Sequence, residues 1–126
     1  MKRDMDLIRE MLLKLEGEPL DGNLYQVDPV QLGIRDRSPE ELSYHLLLLI
    51  DGGLVDGERD QSGGFVLQKL TWRGHEFLDD IRSPEIWRKT KDGAGKVGRA
   101  SLDFMWEIAK AYGKHLAKEK LGLDVT

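Results

Sequence analysis

The chain has no cysteine among its 126 residues, which excludes a disulfide framework and any thiolate metal site. Its three histidines, His45, His75 and His115, fall in separate segments without metal-ligand spacing, so no metal is expected. Long apolar runs are also missing. The longest covers residues 46–50, far short of the roughly 20 residues that cross a bilayer, so no membrane partner is expected. The opening "MKRDMDLIRE" sets acids and an arginine where a secretion signal needs its apolar stretch. The expectation is a cytoplasmic protein of bacterial type. Positive charge is absent from one long segment: no lysine or arginine stands between Arg37 and Arg59.

What is present is an ordinary globular mixture, 40% hydrophobic and 33% charged, in a length that suits one domain with a short appendage. The net charge of −4 gives no general attraction to polyanions, but its distribution is uneven. Residues 1–80 hold nine Lys/Arg against seventeen Asp/Glu, whereas residues 81–126 hold ten against six. Within the second part Arg82, Arg88, Lys89, Lys91, Lys96 and Arg99 face only Glu85 and Asp92. Such clustering is either an electrostatic footprint or a solvated linker followed by a lysine-bearing helix.

Periodicity lays out the elements. Met5, Ile8, Met11, Leu12 and Leu15 recur at three- and four-residue spacing, which predicts a helix capped by Asp4 and stopped at Gly17. Residues 18–29 are polar and read as a connection. "VQLGI" then alternates Val30, Leu32 and Ile34 with Gln31 and Gly33, the period of a half-buried strand. Ser38, Pro39 and Glu41 form the start of a second helix with a capping box, its inward face Leu42, Leu46, Leu49 and Ile50 and its stop Gly52-Gly53. "LVDGE" and "FVLQKLT" flank a glycine-bearing hairpin tip. Thr71 caps a third helix whose inward face is Gly74, Phe77, Leu78 and Ile81. "SPEIWRKT" carries its own cap, and "KDGAGKVGRA" reads as a loop. A long helix closes the chain between Ser101 and Gly122. Leu102, Met105, Ala109, Tyr112 and Leu116 line one strip of it, with Phe104, Ile108 and Ala111 beside them. That apolar breadth suggests a partner, such as a second copy of the chain.

No catalytic constellation emerges, so an enzyme is not expected and no cofactor is implied. "GAGKVG" satisfies a dinucleotide-type glycine pattern, but "WRKTKD" before it is no buried strand. Asp79-Asp80 and Glu40-Glu41 point apart on a helix and cannot work as acid/base pairs. Trp72, Trp87 and Trp106, set among aliphatic residues at helical spacing, are expected in the core.

The order helix, strand, helix, hairpin, helix is that of a winged helix. "LSYHLLLLIDGGLV" is similar to the third helix of arsenic-repressor-like regulators, with Ser43, His45, Leu46, Leu49, Gly53, Leu54 and Val55 on the shared pattern. "LTWRGHEFL" resembles the segment leaving the wing in multiple-antibiotic-resistance-type regulators through Leu70, Thr71, Gly74, Phe77 and Leu78. Nearly the full chain, from "MKRDMDLIREML" through "LTWRGHEFLDDIR" with "IW" and "KTK" to a final helix ending "LG", resembles an uncharacterised bacterial and phage family, domain of unknown function 2513. The resemblance implies no activity. It implies a small protein of phage or mobile-element type with an α+β fold: a winged-helix-like core over residues 1–82 and a long C-terminal helix. Residues 83–126 then form a basic linker and a helical appendage.

Two functions from different classes follow. The first is a DNA-associated regulatory protein. Winged helices place their third helix in the major groove, yet here that helix is uncharged-to-acidic and the wing sets Asp56, Glu58 and Asp60 against Arg59 alone. Positions of Tyr44 and Leu47 commonly carry basic residues in the arsenic-repressor-like pattern. Contact with double-stranded DNA is therefore expected from Arg82, Arg88, Lys89, Lys91, Lys96 and Arg99, with Arg35 and Arg37 and assistance from Lys2 and Arg3. The second is a protein-binding or dimerisation module that keeps the fold without DNA contact. Its contact residues would be Tyr44, Leu47 and Leu48 together with Leu102, Met105, Ala109, Tyr112 and Leu116.

Overall fold

A computed structural model describes residues 1–98 and 101–122. Arg99, one of the expected basic contacts, lies outside the described residues. The fold is mixed α+β, with five α-helices, one 3-10 turn and a three-stranded antiparallel sheet among the described residues. It divides into two compact units, Met1–Leu78 and a second that begins at Asp79.

The first unit starts with α1 (Met5–Glu16). Asp4 caps it by accepting from the backbone N–H groups of Asp6 and Leu7, and Met5, Leu7, Ile8, Met11, Leu12 and Leu15 are buried. Next comes β1 (Tyr25–Val27), within the stretch read from sequence as a connection. The expected strand at residues 30–34 is instead a 3-10 turn, Pro29–Leu32. Asp28 caps that turn at the Val30 N–H, Pro29 supplies a first-turn residue that needs no donor, and Gly33 leaves it at φ +77°. Alternation misled here because a single turn buries Leu32 and Ile34 while exposing Val30, Gln31 and Gly33.

Helix α2 (Pro39–Asp51) has the full expected capping box: Ser38 accepts from the Glu41 N–H, and Glu41 accepts from the Ser38 N–H. Leu42, His45, Leu46 and Leu49 are buried on it. The chain leaves through Gly53 at φ +73°. β2 (Val55–Arg59) and β3 (Phe65–Leu70) form the hairpin, and β3 takes the centre of the sheet in the order β1-β3-β2. Val66 stands opposite both Gln26 and Glu58, and β2 is bulged between Asp56 and Gly57. At the hairpin tip Asp60 accepts from the N–H groups of Ser62 and Gly64 and from the Ser62 hydroxyl.

Helix α3 (Trp72–Ile81) is capped by the Thr71 hydroxyl at the Gly74 N–H and buries Gly74, Phe77, Leu78 and Ile81. A Cβ on Gly74 would run into the Leu54 carbonyl, so only glycine permits that approach. Trp72 is not in the core: 82% of it is exposed, because as the first residue of α3 it falls on the face opposite Phe77 and Leu78. The second unit holds α4 (Pro84–Val97) and α5 (Leu102–Leu121). Residues 91–97, read as a loop, continue α4. Trp87, Thr90 and Ala94 are buried along it, a burial that outweighs the poor helix propensity of its glycines, and Gly93 lies beside Ile108 and Tyr112 of α5. The glycine run is therefore helical as far as Val97 and presents no phosphate-binding turn there. Trp106 is buried and donates its indole N–H to Asp80 at 2.7 Å.

Candidate nucleic-acid interface

The surface that a winged helix would present comes from α2 and the hairpin. On α2 Glu40 is exposed, while Glu41, Ser43, Tyr44, Leu47 and Leu48 are half-buried. No cation stands on this helix. The hairpin adds Asp56, Glu58 and Asp60. Its two cations are Lys69, which pairs with Asp56 at 2.7 Å, and Arg59, which donates to the Gly63 carbonyl and lies over the Phe65 ring. Hydrogen bonds from Ser62 first, then from the Gly64 N–H, hold the Asp60 carboxyl below the usual carboxylate range, so its charge is fixed. Between the end of β1, the 3-10 turn, α2 and the hairpin tip lies an open cleft of about 540 Å³. It is lined by Gln26, Asp28, Gln31, Ser43, Asp60 and Ser62, among other residues, and by no lysine or arginine. Phosphates would meet carboxylates here without a neutralising cation.

The two basic residues expected near this surface differ in state. Arg35 is exposed. Arg37 is committed to a network that joins α1 to α2. Its guanidinium lies 2.7 Å from Asp4 and 3.5 Å from Glu41. The bond to Asp4 raises the Arg37 pKa further. Burial alone would raise the Asp4 pKa, but the Arg37 bond and the Leu7 and Asp6 N–H donors outweigh it and hold the carboxyl below its ordinary value. His45, buried beneath, accepts the Asp4 backbone N–H at Nε2 (2.9 Å) and meets the Glu41 carbonyl at Nδ1 (2.8 Å). The first bond requires Nε2 bare, so the ring proton sits on Nδ1 and is donated to Glu41. This histidine is a structural link, not a ligand.

The rest of the basic set belongs to the second unit. Ser83 and Pro84 start α4, and its buried face turns Arg88, Lys89, Lys91, Asp92 and Lys96 toward solvent to differing degrees. Arg88 and Lys96 are exposed and make no ion pair among the described residues. Lys89 lies 3.5 Å from Glu85 and 5.9 Å from the Tyr112 ring centre, and Lys91 lies 5.9 Å from that of Trp87. Arg82 pairs with Asp79 at 3.0 Å. Exposed ion pairs such as Lys89–Glu85 are worth little against a competing phosphate. The structure thus brings Arg88, Lys89, Lys91 and Lys96 onto one helix of the second unit, while Arg35 and Arg37 belong to the first unit.

The residues expected at a protein interface divide in a similar way. Met105 and Ala109 are buried within the chain and serve its own core. Leu102, Tyr112 and Leu116 are half-buried, as are Tyr44, Leu47 and Leu48. The sequence marks the final helix as lysine-bearing but assigns no contact to its lysines, which are exposed at Lys110, Lys114 and Lys118. Their four-residue recurrence was the available signal. Among the described residues no group of three or more His, Asp or Glu is placed to hold a metal ion, and no helix is long and apolar enough to cross a membrane.

The profile of the family described as "Hypothetical protein (DUF2513)" matches residues 2–100, which takes in everything up to the end of α4. An uncharacterized protein of Haemophilus influenzae (strain KW20 / Rd) is 33% identical over 125 residues, covering 96% of this chain and 99% of that protein. No solved structure matches the chain.

Proposed function

The chain belongs to the DUF2513 family, and from that premise we propose that it is a winged-helix-like, DNA-associated regulatory protein of the phage or mobile-element type. The winged-helix reading is supported by the order α1, β1, short turn, α2, β2-β3 hairpin, α3, by the central position of β3, and by the approach of Gly74 to the Leu54 carbonyl. The 3-10 turn Pro29–Leu32 takes the place where such a fold carries a second helix. The observation that carries DNA association is the exposed face of α4, where Arg88, Lys89, Lys91 and Lys96 outnumber Glu85 and Asp92. Phosphate contact comes from that face, and α2 is not the groove reader because its exposed positions offer no cation.

The test is retention of labelled duplex DNA by the full chain across a salt series, against the variant Arg88→Glu/Lys89→Glu/Lys91→Glu. Affinity falling steeply with salt in the parent and lost in the variant supports the reading; equal binding by both removes it. A second reading is favoured by the half-buried Tyr44, Leu47 and Leu48 on a helix without cations. It makes the protein an interaction or dimerisation module. That reading predicts no duplex retention at any salt, together with elution as a dimer or with a protein partner.

A further inference from the structure

We infer that α5 carries a second phosphate-contacting row, Lys110, Lys114 and Lys118, which runs along the backbone of duplex DNA beside the α4 face. The inference deepens the proposed function and rests on it. The three lysines recur every four residues, so they share one face of α5 at a spacing of about 6 Å along the helix. Neighbouring phosphates of one strand rise about 3.4 Å along the duplex axis and, with the winding of the backbone, stand about 7 Å apart, a spacing that three flexible lysines can follow. All three lysines are exposed, and Lys114 and Lys118 make no ion pair among the described residues. Lys110 is held at the head of the row, 4.9 Å from the centre of the buried Trp106 ring, with an exposed pair to Glu107 at 3.4 Å. From residue 110 to residue 120 the only carboxylate is Glu119, which faces His115 at 3.1 Å.

Helix electrostatics accounts for only part of this pattern. Lys118 and Lys120 lie in the last turn, where a cation offsets the carbonyl end of the helix. Lys110 and Lys114 are mid-helix and gain nothing from it. An anionic membrane surface would also attract lysines, but a helix lying on lipid needs its apolar face free. Met105, Trp106 and Ala109 are buried within the chain, and of the residues flanking the row, Glu107, Ala111, Gly113, His115, Ala117 and Leu121, only Leu121 at the far end is a large exposed apolar side chain, too little to seat a helix in lipid. A polyanion met through charge alone fits; a bilayer does not.

The test is fluorescence anisotropy of a labelled duplex with the full chain, repeated from low to high salt, for the parent, Lys114→Gln/Lys118→Gln and Lys114→Arg/Lys118→Arg. Removing two phosphate contacts makes the slope of log affinity against log salt shallower by about 1.8, and the arginine pair restores it. Thermal unfolding of the glutamine variant should stay close to the parent, both positions being exposed, with only the small last-turn charge contribution of Lys118 removed and restored by the arginine pair. Parent binding with an unchanged slope in the glutamine variant overturns the α5 row and leaves the α4 reading standing. Failure of the parent to bind duplex overturns both. Capture by phosphatidylserine vesicles without duplex binding also overturns the inference and replaces the partner.

Discussion

At Asp4 one carboxylate caps α1 through the Asp6 and Leu7 N–H groups and binds Arg37 at 2.7 Å, while its own backbone N–H is taken by the buried His45. Because the Asp4 pKa is lower in the fold than in the free side chain, its contribution is present above the ordinary value of 3.8 and is given up as the pH falls through the lowered one. Asp4→Asn keeps a good cap and removes the charge. In urea unfolding it should therefore be less stable than the parent at neutral pH, with the gap closing in the acid range; a gap independent of pH would contradict the ion-pair assignment. Asp4→Ala loses the cap as well, at a further cost of about 1 kcal/mol. His45→Leu leaves the Asp4 N–H without its partner and removes the imidazole bond to the Glu41 carbonyl, and should cost about 1–3 kcal/mol in the same measurement.

Glycines separate the elements by what surrounds them. Gly95 sits in α4 with no neighbour for an added Cβ, so Gly95→Ala should stabilise the chain by about 0.5–1 kcal/mol through helix propensity. Gly74 on α3 faces the Leu54 carbonyl, so Gly74→Ala should destabilise by about 1–3 kcal/mol. Both are read as shifts in the denaturant midpoint, and a common sign for the two would contradict the packing described. The elements that announce themselves in sequence are those with both a cap and a periodic apolar face: α1 with Asp4, α2 with Ser38 and Glu41, α3 with Thr71. β1 gave no such signal, since three mostly exposed residues make no alternating pattern, and its pairing with β3 joins segments about forty residues apart. Trp72 shows the limit of composition: an aromatic at the first position of a helix can face outward. Of the candidate interface, counting charges located the α4 cluster but could not reveal that Arg37 is spent on Asp4, 33 residues away.

For the whole molecule, the first unit is acidic and the basic excess lies beyond residue 80. If duplex binds through α4, the acidic residues act on it as a repulsive field. Neutralising two exposed members, Asp51→Asn and Glu58→Gln, should raise the association rate a few-fold at low salt, and the gain should vanish above about 0.2 M salt as screening sets in. Stopped-flow measurement at two salt concentrations decides it; a gain that persists at high salt would mean direct contact instead. The sheet bears on how copies of the chain could meet. One border, β2, is bulged at Asp56/Gly57 and carries Asp56, Glu58 and Arg59; the other, β1, is three residues long and stops before Asp28-Pro29. Short, charged or kinked borders resist the addition of another strand. Crowded solutions of the folded protein should therefore stay free of assemblies built by joining one sheet to the next, which the absence of thioflavin T fluorescence would check.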